Sequence, residues 1–244
     1  FKNLRSLVGK SGFYRHYEFR SNGTDETYAY FRDDAKHNYF LNDLVVAMGK
    51  KKDWRGPAFE EFQEALADEK SARWTHIITG RGHSPQSMRM GLAFVQLKGF
   101  IQYLIAAENF FPVTYSGITP EPGGTSATKA RVMRELLDQL ESTPLSPEMV
   151  KLVDSDGEGQ KVQHIWEFSD DDPQNITKAI EVLTAKVKEG SWPHTKIKLW
   201  YTGKSAVRSA PWPSDRFVIK RDGTLRPVLK SESLEFQRVY LKRK

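Results

Sequence analysis

None of the 244 residues is cysteine. Disulfide staples, thiolate zinc sites, iron–sulfur clusters and cysteine nucleophiles are therefore excluded together, and the fold has to be held by apolar burial. The composition allows this, with 39% hydrophobic and 12% aromatic residues, enough at this length for one large core or two small ones. No apolar run approaches the roughly 18 residues that a membrane span needs, so no membrane partner is expected. Residues 1–12 are basic but lack the apolar stretch and small-residue cleavage site of a secretory signal, which points to an intracellular location, cytoplasmic or nuclear. A chain that opens on Phe1 rather than Met is expected to lack a segment upstream.

The net charge of +6 is unevenly spread. Residues 1–122 carry 16 basic and 14 acidic side chains, residues 123–192 carry 8 and 13, and residues 193–244 carry 13 and 4. A surface for a polyanion is therefore expected to draw on the C-terminal strands.

Phe13, Tyr14, Tyr17 and Phe19, then Ser21-Asn22-Gly23, then Thr27, Tyr28, Tyr30 and Phe31 read as an aromatic hairpin. Leu41, Leu44, Val45 and Met48 follow at helical spacing, with Asn38 or Asn42 as cap and Gly49 as stop. The basic connector Lys50-Lys51-Lys52-Asp53-Trp54-Arg55 leads through Pro57 into a helix with Glu60, Glu61 and Glu64 near its start. Arg73 to Thr79 is β-branched and aromatic, Gly80-Arg81-Gly82-His83-Ser84-Pro85 is a cluster of breakers, and Met88 to Leu97 is strand or early helix, so residues 73–91 are expected to form a hairpin with a basic glycine-rich tip. A further apolar helix is expected from Phe100 to about Phe111. Pro120, Pro122 and Gly123-Gly124 mark 114–126 as a linker.

Beyond it, Thr128 to Glu141 has helical periodicity, Val162 to Phe168 alternates as a strand, Asp170-Asp171-Asp172-Pro173 caps a helix from Ile176 to Val187, and Lys196 to Tyr201 alternates again. Strand, helix, strand makes a βαβ unit. Phe217 to Lys220 and Leu234 to Leu241 are two further short strands, joined by the turn Arg221-Asp222-Gly223. The expected fold class is α+β: a winged-helix-like N-terminal subdomain (1–113) with the aromatic hairpin, a linker (114–126), and a C-terminal subdomain (127–244) with a βαβ-containing mixed sheet and basic strands.

Leu44, Met48, Gly49, Lys50, Trp54, Gly80, Gly82 and Gly91, spread over residues 39–111, resemble the pattern of KilA-N/APSES-type DNA-binding domains. The resemblance covers roughly a third of the chain and implies a short helix, a turn with a tryptophan, and a glycine-rich wing before a terminal helix. On physical grounds alone, Arg73, Arg81, His83 and Arg89 on a wing, with Lys50, Lys51, Lys52, Trp54 and Arg55 between helices, would serve as contacts to a duplex. In the C-terminal part, Lys196 and Lys198 share one strand face. Lys204, Arg208, Arg216, Lys220, Arg221, Arg226 and Lys242-Arg243-Lys244 would extend it, with Trp200 and Trp212 to stack on bases. A non-catalytic nucleic-acid-binding protein is therefore expected, with duplex DNA favoured over RNA, no cofactor, and a role in transcription or replication.

Sharper motifs fail on spacing. Thr202-Gly203-Lys204-Ser205 ends like a phosphate-binding loop, but Lys198 stands where glycine is required. Asp154, Asp156 and Glu158 open like a calcium loop whose twelfth position is Ile165. The histidines His16, His37, His76, His83, His164 and His194 form no metal motif, and Asp33, Asp34 and Asp43 lack the strand-borne partner of a nuclease. Two alternatives stand. One is a metal-independent RNA-processing endonuclease on the βαβ scaffold, with His194 and Lys196 two apart on one strand face. The other is a structural or protein-interaction domain whose basic tail only keeps it soluble.

Overall fold

The computed structural model describes Asp33, Lys36, residues 38–49, 55–144, Val162, 164–203 and 213–229. The aromatic hairpin before residue 32, Lys50, Lys51, Lys52, Trp54, the 154–159 acidic turn, Lys204, Arg208, Trp212, the strand expected over 234–241 and the Lys242-Arg243-Lys244 tail lie outside the described residues. The chain is α+β and divides into two compact units, Phe1–Pro120 and Glu121–Lys244.

In the first unit Asn38 caps helix α1 (Tyr39–Gly49) by accepting from the backbone N–H of Leu41 at 2.9 Å, as its side chain favours. Helix α2 (Phe59–Ala65) and the short α3 (Glu69–Arg73) follow, the latter capped by Asp68. Strand β1 (Ile77–Thr79) leads into α4 (Pro85–Leu97), and β2 (Phe110–Pro112) returns parallel to β1. The hairpin expected over 73–91 is therefore a strand, a turn and a helix. Ser84 accepts from the N–H of Ser87, Pro85 occupies the first turn, and Met88, Leu92 and Val95 at helical spacing are buried. That is a helix start, and it outweighs the glycines that suggested a hairpin tip. Helices α1 and α4 touch at Gly91, where an added Cβ would run into the Phe40 ring.

The helix expected over 100–111 is instead a loop, a short 3-10 turn (Ala107–Asn109) and β2. Ile101 and Ile105 are buried all the same, because the loop backbone finds partners elsewhere: Tyr103 N–H donates to the Leu66 carbonyl at 3.0 Å, and Gln63 donates to the Phe100 carbonyl at 2.7 Å. Satisfied backbone groups are what permit an irregular segment to be buried.

The second unit is built on strands β3 (His164–Asp170), β4 (Thr195–Tyr201), β5 (Arg216–Ile219) and β6 (Leu225–Pro227), in that spatial order. β3 and β4 are parallel and are joined by helix α6 (Pro173–Lys188), while β5 and β6 add antiparallel. Asp172 caps α6 by accepting from Gln174 N–H, with Pro173 at its first position. Helix α5 (Gly124–Glu141) packs against α6, and both lie on the sheet. The core joins Met133, Leu136 and Leu137 of α5 and Ile176, Ala179, Leu183 and Val187 of α6 with Phe168, Ile197, Leu199, Phe217 and Ile219 of the sheet. The turn Arg221-Asp222-Gly223 leads into β6 at once, earlier than the strand expected over 234–241.

Candidate functional site

The cross-strand register divides the sheet of the second unit into two faces. One is the apolar face under the helices. On the other, Glu167, Lys198, Val218 and Arg226 form one row, and Ser169, Trp200 and Arg216 the next. The Arg216 guanidinium lies 4.7 Å from the centroid of the Trp200 ring, and its Nη2 reaches both carboxylate oxygens of Glu167, at 2.7 and 2.9 Å, so it stacks on the ring while pairing with the acid. Lys196 and Lys198 share this face as alternation requires, but β4 is an inner strand and each lysine is 4% exposed and engaged in an interaction. They add charge beneath the face rather than ammonium groups at its surface. Lys196, Lys220, Arg221 and Arg226 line one cleft at the start of β4, together with Thr195, Val218 and Ile219. Lys220 faces Asp222 at 3.6 Å, and Arg221 donates to the Trp192 carbonyl at 2.6 Å.

The same end of the sheet carries a second cluster. Glu141, the last residue of α5, accepts from the backbone N–H of His194 at 2.9 Å and from Thr195 Oγ1 at 2.5 Å, and its Oε1 lies 2.8 Å from His194 Nδ1. Partial burial works against the charge of Glu141, but its bonds to Thr195 and His194 outweigh this and hold the carboxyl below its usual range. An ionised carboxylate only accepts, so the hydrogen of this contact is on Nδ1 of His194, and Nε2 points away from Glu141. His164 pairs with Thr195 across the strands and is buried, and its Nε2 has no partner among the described residues. Burial pushes its pKa down, the nearby Glu141 opposes that, and His194 adds to it. The turn leading to His194 is fixed by Trp192, which is buried, has a left-handed backbone (φ 53°), and donates from its indole to Asp138 at 2.7 Å. A non-glycine residue holds such a conformation only where its surroundings enforce it.

His194 therefore has a carboxylate partner in place of the lysine that spacing suggested. It bonds Glu141 of α5, whereas Lys196 lies on the sheet face away from the helices. The strand begins only at Thr195, so the alternation that would have put His194 and Lys196 on one face does not extend to His194.

At the opposite end of the β3–β4 pair, Lys129 of α5 and Asp170 form an ion pair at 2.7 Å with both side chains 7% exposed. Asp170 also accepts from Asn175 at 3.1 Å and from the N–H of Asp172 at 2.9 Å. A buried pair needs such additional hydrogen bonds to persist.

In the first unit, the residues assigned to the wing have other duties. Arg81 pairs with Asp43 at 2.6 Å and lies over the Phe40 ring. His83 is 0% exposed, 3.5 Å from the Asp33 carboxylate, too long for a good hydrogen bond, and 6.0 Å from the Phe40 ring. It is thus a core residue and offers no contact to a phosphate. Burial pushes its pKa down, Arg81 adds to this, and Asp33 opposes it. Arg55 lies over the Phe59 and Phe100 rings, Arg73 pairs with Glu69, and Arg89 donates to the Ile105 carbonyl at 3.3 Å.

Sequence reasoning missed Glu141, Thr195, His164, Lys129 and Asp170. Glu141 and His194 are 53 residues apart, and no local pattern links them. Among the described residues no cluster of three or more metal-ligating side chains occurs, and no helix is long and apolar enough to cross a membrane. Comparison of the chain with protein-family models, curated proteins and solved structures gives no match.

Proposed function

We propose that the chain binds nucleic acid through the second unit, on the sheet face away from the helices. One observation supports this reading most: Arg216, Lys220 and Arg226 lie on or beside that face, with Lys196 and Lys198 buried beneath it, against Glu167 as the one acid in its described strand rows. Charges on a sheet surface attract a polyphosphate without reading its bases. Trp200, half-buried beside Arg216, is an aromatic ring of the kind on which bases stack.

The duplex-DNA form of the reading drew its groove contact from a wing over 73–91, together with the KilA-N/APSES resemblance of residues 39–111. With that segment folded as strand, turn and helix, the winged-helix-like proposal for the first unit rests on α1, α2 and α4. The sheet face suits a flexible single strand at least as well as a duplex. Titrating the chain with single-stranded RNA, duplex RNA and duplex DNA over a range of salt is the test. Binding is expected to weaken log-linearly with salt, and Lys220→Ala or Arg226→Ala to reduce the slope by about one each. No binding to any of the three at low salt would overturn the proposal.

A further inference from the structure

The cluster at the start of β4 is built as an acid–base site. A structural pin for this strand is already complete when Glu141 takes the His194 N–H and the Thr195 hydroxyl. The third bond, to the imidazole, orients the ring, with the side chain still 51% exposed. The loop beneath is immobilised by Trp192 through Asp138 and Arg221. Arg221 thereby sits beside the histidine loop, and the cleft lined by Lys196, Lys220, Arg221 and Arg226 shares Thr195 with the cluster.

We propose that His194 is the general base of a metal-independent RNA-cleaving site, with Glu141 as its positioning residue. The substrate class is single-stranded RNA, so the proposal rests on the nucleic-acid reading above. His194 Nε2 takes the proton of a ribose 2′-hydroxyl, the 2′-oxygen bonds to the adjacent phosphorus, and the bond from phosphorus to the 5′-oxygen breaks. The departing 5′-oxygen takes a proton from water, and the products are a 2′,3′-cyclic phosphate and a 5′-hydroxyl end. His194 then returns its proton to solvent, so the step needs no oxidant or metal. Arg221, whose guanidinium donates to the Trp192 carbonyl of the same loop, supplies positive charge for the phosphorane that forms on the way.

The test uses the full chain with end-labelled single-stranded RNA in EDTA, following cleavage on gels and binding by fluorescence anisotropy in parallel. Wild type is expected to leave 2′,3′-cyclic phosphate ends, and to bind but not cut the same sequence made with 2′-deoxyribose. His194→Ala is expected to lower cleavage about 100-fold or more with affinity changed less than about twofold. Glu141→Gln is expected to slow cleavage and move the acidic limb of the rate–pH profile to lower pH, which a purely structural role would not do; Glu141→Asp is expected to restore part of the rate. Thermal unfolding of each variant establishes that it folds, and the surface substitution His194→Ala keeps the test open should the Glu141 variants fail. Binding without cleavage by wild type, or equal cleavage by His194→Ala, overturns this inference and leaves the binding proposal standing. Absence of binding overturns both.

Discussion

The two ends of the β3–β4 pair use the same materials to opposite effect. At the carboxyl end, Lys129, Asp170 and Asn175 close a polar network away from water. At the amino end, Glu141 is equally well bonded, but one of its partners is an exposed imidazole. Parallel α/β sheets usually place ligands at the carboxyl ends of their strands. Here that end is filled by its own ion pair, and the open valence lies at the other. The difference teaches that bonding alone does not distinguish structure from chemistry; what distinguishes them is whether one group in the network still faces solvent.

The sharpest way to break this comparison is to remove one charge from the closed end. Lys129→Met leaves Asp170 buried without its cation and is expected to cost about 3–5 kcal/mol of stability, read from denaturant midpoints. Adding Asp170→Asn, which keeps an acceptor for the N–H of Asp172, is expected to recover much of the loss. If Lys129→Met unfolds no more easily than wild type, the closed end is not a structural network.

Glu141→Ala comes next, with an expected loss of about 1–3 kcal/mol, because the N–H of His194 and the Thr195 hydroxyl lose their acceptor. The pH dependence of stability should point to the same end. The pKa of His164 is lowered on folding, so the unfolded chain binds the extra proton; its contribution is present above the ordinary histidine value near 6.5 and is lost as pH falls below it. The carboxyl of Glu141 is also lowered, so its contribution persists through that range and is lost only at more acid pH, as the folded carboxyl takes a proton. His164→Leu is therefore expected to flatten the stability profile between neutral pH and about 5.5, as measured by urea denaturation across that range. An unchanged slope would remove His164 from the account.

The smallest effect is expected from His194→Ala, within about 0.5 kcal/mol of wild type, as for most exposed side chains. A loss as large as that from Lys129→Met would show that the open end is structural after all.

Much of the second unit was legible along the chain. The apolar spacing of Val132, Met133, Leu136 and Leu137, the Asp172-Pro173 start signal and the alternation of Lys196 to Tyr201 each specify an element whose partners lie a few residues away. The first unit was read less well where two local signals competed. Gly80 and Gly82 suggested a tip, whereas Ser84-Pro85 began a helix. Ile101 and Ile105 suggested a helix, whereas long-range backbone bonds to Leu66 and Gln63 permitted a buried loop. For the candidate site, alternation gave the face of Lys196 and Lys198 but not their burial, which neighbours distant along the chain decide.

Periodicity, caps and charge act over a few residues, so the sequence by itself determined helices α5 and α6 and strands β3, β4 and β5, the absence of cysteine chemistry, and the concentration of positive charge toward the C-terminus. Only the tertiary structure decided which charges meet. The end of α5 reaches Glu141 to a histidine 53 residues away, and the return of β3 beside its start brings Lys129 to Asp170. Ion pairs and hydrogen bonds form over a few ångströms in space, and distance along the chain does not set that separation.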